Sequence, residues 1–211
     1  MNKPLNQVKK RTLRYWFEDG LSETIIGAFF ILVGLMFLIQ ALAEPGSLLA
    51  GLSGLGTALL VGLGVWLARL LIQRLKERLT YPRTGYVSYY PPSILQRALS
   101  LILGLIIAVL FGWFIFSYSQ ELLAWLPFVE GLALAALSFV IGQRAGLFRF
   151  YLYALVTLLI GVVLSISGQG DYVGSGWVFI TSGLLMSLVG LVALARYLRN
   201  SQPVEEAPDG N

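Results

Sequence analysis

The chain has 211 residues, 57% of them hydrophobic and 12% charged, with 15 Lys and Arg, 11 Asp and Glu, and neither Cys nor His. A soluble domain carries about 25% charged residues, and the mean hydropathy here is +0.77; a soluble globular enzyme, a disordered chain and a disulfide scaffold are excluded, and a polytopic membrane protein is indicated. Without Cys or His there is no thiol nucleophile, no imidazole for serine hydrolysis, no ordinary zinc site and no haem ligand, so no enzymatic activity, cofactor or metal is expected.

Residues 1–22 form a basic and aromatic segment with Lys3, Lys9, Lys10, Arg11 and Arg14, followed by Tyr15-Trp16-Phe17. Asp19-Gly20-Leu21-Ser22-Glu23 reads as a turn into the first span: Ser22 can cap the helix and Glu23 suits its positive N-terminus. A helix crossing ~30 Å of hydrocarbon needs about 20 apolar residues. The first such window is 24–42. Ala41-Leu42-Ala43 resembles a signal-cleavage site, which would leave five spans. The apolar run is longer than a usual signal core and is preceded by Glu18, Asp19 and Glu23, so the span is retained.

Glu44-Pro45-Gly46-Ser47 is a turn, and the second span covers 48–72. It carries Ala50, Gly54, Ala58 and Gly62 four apart, a smooth stripe suited to helix packing. The cytoplasmic loop 73–97 begins with Arg74–Leu79, which continues the helix as a basic amphipathic turn. It then holds Tyr81, Pro82, Arg83, Gly85 and Tyr86, a turn set among aromatic and basic residues. This segment is a candidate docking site for a partner or lipid headgroups; the plainer alternative is an interfacial strap beneath the bundle.

The third and fourth spans are 98–118 and 122–141. Glu130 is the only ionisable residue deep within a predicted span, roughly 12 Å from its outer end. An intramembrane acid is a functional candidate by default, here a protonatable site coupling protons or a cation to transport. A structural Glu hydrogen-bonded to Ser, Thr or Gln is the competing reading. Pro127 is expected to kink the helix and admit water. Phe148, Phe150, Tyr151 and Tyr153 are expected at the membrane interface, where the fifth span (150–167) begins. Thr157, Gly161 and Ser165 form its packing stripe. Gly174-Ser175-Gly176 is read as a small-residue helix start and not a nucleophilic serine turn. The sixth span covers 176–195, and 198–211 is a polar tail expected to be disordered.

All fifteen Lys and Arg fall on one side if six spans alternate, whereas the opposite loops hold Glu44, Glu121 and Asp171. The positive-inside rule puts both termini in the cytoplasm. The expected fold is an all-α integral membrane protein: one domain, residues 23–197, of six transmembrane helices in three hairpins, in the plasma (bacterial inner) membrane. The expected function is that of an accessory, assembly or interaction protein. The alternative is a small transporter or channel using Glu130. Expected partners are the lipid bilayer and a membrane-protein partner or a second copy. Nucleic acid is not expected, because the basic residues sit at membrane edges and form no groove-reading face.

Overall fold

The computed structural model describes residues 14, 16–81, 124–169 and 171–201. Among them are five helices long and apolar enough to cross a membrane and no strand. They are α1 (Leu21–Leu42), α2 (Leu48–Leu79), α3 (Leu126–Ala145), α4 (Phe148–Ile166) and α5 (Asp171–Asn200). The predicted third span, 98–118, lies outside the described residues.

Helix boundaries follow local chemistry. Gly20, at φ 73°, precedes α1 in the left-handed region that favours glycine. The Leu21 amide donates to Asp19 Oδ1 at 3.1 Å, so Asp19 does the capping expected of Ser22. Ser22 lies inside α1, and its hydroxyl donates to the Trp16 carbonyl at 3.0 Å. Ser47 caps α2 by accepting from the Ala50 amide at 3.2 Å. Pro127 sits in the first turn of α3, where a missing N–H costs nothing. It therefore starts the helix at Leu126, and the expected kink gives way to a helix start. The 32 residues of α2 and 30 of α5 exceed the expected windows. At 1.5 Å per residue each is roughly 45 Å long, more than the ~30 Å of hydrocarbon a spanning helix has to cross. Residues 198–200, assigned to the tail from sequence, continue α5.

The tightest seam joins α1 to α5. Gly20, Gly27 and Gly34, spaced by seven, face Gly190, Gly183 and Gly176, spaced by seven in the opposite direction. A Cβ at Gly20 would lie 2.3 Å from the Gly190 carbonyl, at Gly27 2.5 Å from that of Gly183, and at Gly34 2.6 Å from that of Gly176. Backbones in lipid associate through this kind of small-residue contact, and a seven-residue repeat keeps the pairs in register. A second seam joins α3 to α4, where a Cβ on Gly131 would lie 2.8 Å from the Thr157 carbonyl and 3.0 Å from Gly161 Cα.

By contrast, α2 meets α1 through side chains: Met36 lies over Gly56 and Phe29 over Gly64. The face of α2 turned inward is Gly64, Ala68, Ile72, Lys76 and Thr80, all buried and four apart. The expected stripe is displaced from it. Ala58 and Gly62 are exposed, no atom of the described residues lies within 4 Å of a Cβ at Gly62, and Gly54 meets only Gln40 Nε2 at 3.8 Å. Four-residue spacing recurs on several faces of so Gly- and Ala-rich a helix, and the bulky Phe29 and Met36 select the face with room for them.

These contacts gather the start of α1, the end of α2, the α3–α4 turn and the end of α5 at one end of the bundle. The exposed Arg74, Arg78, Arg144, Arg196 and Arg199 lie there. Glu44 and Asp171 lie at the opposite end.

Candidate functional site

The basic end conceals two complete ion pairs. Lys76 is the fourth member of the inward stripe of α2, so its side chain, 2% exposed, points at the residues preceding α1 and not into solvent. Its ammonium donates to Asp19 Oδ2 at 2.6 Å and to the Trp16 carbonyl at 2.8 Å, and it stands 5.1 Å from the Trp16 ring centroid. One turn further, the fully buried Glu23 accepts from Arg149 at 2.6 Å and from the Tyr153 hydroxyl at 2.6 Å. The Arg149 guanidinium also donates to the Phe17 carbonyl.

Two acids four residues apart therefore bind two bases that arrive from different helices, α2 and α4. The segment through residues 16–23 is held between them. Phe17 packs edge-on against Phe150 at 5.0 Å, and Phe150 against Tyr153 at 5.3 Å, roofing the pairs with apolar surface. Phe150 and Tyr153 were expected among interfacial rings. They are 1% and 0% exposed, and the Tyr153 hydroxyl finds its polar partner inside the protein, as buried tyrosines do. Phe148, by contrast, is 82% exposed.

Chemically the cluster is balanced. Asp19 and Glu23 each have a cation within 2.6 Å, which leaves neither free to act as a base or to ligate a metal. Among the described residues no group of three or more Asp or Glu side chains converges. A charge pair of this kind fixes geometry: each partner is costly to bury alone and is satisfied only in one arrangement.

Glu130 lies one turn inside α3. Because the helix begins at Leu126, the carboxyl is nearer the helix end than the sequence windows imply. Its buried carboxyl lies beside the Ser175 hydroxyl of α5, the kind of neighbour the structural reading expected, whereas the buried Ser182 hydroxyl has no hydrogen-bond partner among the described residues. Thr157, Gly161 and Ser165 share the buried face of α4; Gly161 meets Gly131 and Pro127, and the Ser165 hydroxyl accepts from the Phe128 amide at 3.0 Å. Tyr81 is half-buried just beyond α2. Pro82, Arg83, Gly85 and Tyr86 lie outside the described residues.

The ion pairs escaped the sequence reading because Lys76 was grouped with Arg74 and Arg78 on one basic turn. The usable signal was the run Gly64-Ala68-Ile72-Lys76-Thr80, whose period of four puts a lone lysine on an otherwise small and apolar face. The second signal was acidity at a basic end: Asp19 and Glu23, one turn apart, match two cations. No protein-family model matches the chain, and no curated protein or solved structure does.

Proposed function

We propose that this is an accessory membrane protein, a non-catalytic interaction or assembly module of the plasma (bacterial inner) membrane with both termini in the cytoplasm. On this reading the bundle is a rigid support and its basic end is the surface offered to a membrane-protein partner. The observation that carries the proposal is the glycine seam between α1 and α5. Three successive backbone contacts fill the space between these helices over most of α1, where a transporter would need a hydrated path. The cytoplasmic end is clamped by the Asp19–Lys76 and Glu23–Arg149 pairs, and exposed arginines surround it. A rigid, charge-studded end suits recognition of a partner more than alternating access.

The transport reading retains one specific support: the Glu130 carboxyl is buried within an apolar helix, beside the Ser175 hydroxyl of α5, and an acid in that setting is a functional candidate. One experiment separates the two. The interaction reading expects the C-terminally tagged chain to purify with a stoichiometric membrane partner. Arg74→Glu with Arg78→Glu, on the exposed turn of α2, then releases that partner, and Glu130→Gln does not. Proton flux into proteoliposomes of the purified chain, abolished by Glu130→Gln, would replace interaction with transport.

A further inference from the structure

Beside the ion pairs the basic end opens into a cleft of about 420 Å³, lined by Glu18, Arg149, Ala193, Arg196, Tyr197, Asn200 and Ser201. We propose that this cleft is a binding site for the headgroup of an aminophospholipid, its phosphate held by Arg149 and Arg196 and its ammonium by Glu18.

The two arginines differ in a useful way. Arg149 is fixed: Glu23 holds Nε at 2.8 Å and a terminal nitrogen at 2.6 Å, and the Phe17 carbonyl takes a further hydrogen bond. Its guanidinium is thus pre-oriented at the cleft wall, with its charge already balanced by Glu23. Arg196, on the penultimate turn of α5, makes no ion pair among the described residues, and it supplies the uncompensated positive charge. A guanidinium plane recognises phosphate oxygens two at a time, which an ammonium does not. The Asn200 side chain adds a neutral amide donor to the same wall.

A purely anionic ligand would leave Glu18 opposed. Its carboxylate lines the same cleft, half-exposed, and the one cation paired with it among the described residues, Arg14, stands 3.9 Å away; an exposed pair at that distance contributes little. The C-terminal end of α5, near Asn200, adds partial negative charge, whereas the start of α4 at Arg149 adds partial positive charge. Both signs therefore line one cleft at the basic end of the bundle. A ligand carrying a phosphate and a primary ammonium satisfies both, whereas a glycerol headgroup or inorganic phosphate satisfies one.

The full-length chain in maltoside micelles is titrated separately with phosphatidylethanolamine, phosphatidylglycerol and diacylglycerol, and bound lipid is counted by native mass spectrometry. One phosphatidylethanolamine is expected to bind roughly tenfold more tightly than phosphatidylglycerol, the scale of one charge-assisted contact, and diacylglycerol is expected not to bind. Arg196→Gln weakens phosphatidylethanolamine roughly tenfold, and Glu18→Gln abolishes the preference between the two phospholipids. Both side chains lie outside the buried pairs, so an unchanged unfolding midpoint certifies each variant. Undiminished binding by Arg196→Gln, equal or tighter binding of phosphatidylglycerol by the unaltered chain, or displacement of the lipid by millimolar sodium phosphate would overturn the assignment.

Discussion

Lys76→Met is expected to destabilise the protein by about 3–5 kcal/mol, the cost of removing one partner from a buried ion pair. The Asp19 carboxylate, 4% exposed, would keep its desolvation penalty and lose its counter-charge, while the Trp16 carbonyl would lose a donor. Methionine matches the lysine stem in length and polarisability, so packing against Ile72 and Trp16 is largely preserved and the effect reports the charge. Combining Lys76→Met with Asp19→Asn is expected to restore at least about 2 kcal/mol, because the orphaned charge is gone and the Asn carbonyl can still cap Leu21. Thermal unfolding in detergent measures both. A double variant no more stable than the single one would show that the pair is not the dominant interaction at this end.

Adding a methyl group to α1 at Gly27 is expected to cost about 1–3 kcal/mol, and adding one to α2 at Gly62 is expected to cost nothing. The new carbon in Gly27→Ala would meet the Gly183 carbonyl at 2.5 Å and the Ser187 amide nitrogen at 2.7 Å. These are backbone atoms, so relief requires the helices to separate, the general penalty of overpacking. The same change in Gly62→Ala meets no atom of the described residues within 4 Å and gains up to about 1 kcal/mol of helix propensity. Opposite signs from one chemical change isolate the α1–α5 seam as the source. Equal unfolding midpoints for the two variants would remove glycine contact as the organising feature of the bundle.

Hydrophobic length and charge placement made the membrane character of the chain legible, because each apolar run must satisfy its own backbone in lipid. Turns were legible wherever Gly or Pro forced them, as at Gly46 and Gly146. What escaped was partner choice. Gly20, Gly27 and Gly34 repeat at seven residues in plain view, as do Gly176, Gly183 and Gly190, yet only the antiparallel pairing of the two series shows that they face each other. The stripe Ala50–Gly62 has equally good spacing and meets no complementary surface among the described residues. Lys76, Phe150 and Tyr153 were misplaced for one reason: each belongs to a residue type that usually seeks the interface. Each is turned inward by a helix face that Asp19, Glu23 and Phe17 cover. Pro127 is legible as a helix breaker, but only the start of the helix at Leu126 shows that it opens α3 and does not kink it.

Four chain segments, with their lysines and arginines, gather at one end of the bundle, and in a membrane that end lies on one side. The chain has no native cysteine, so single introduced cysteines report position without background. In sealed vesicles, Gln143→Cys and Asn200→Cys are predicted to react with an impermeant maleimide from the same side, and Glu44→Cys and Gln169→Cys from the other. Reaction of the Gln143 and Asn200 positions from opposite sides would contradict that arrangement.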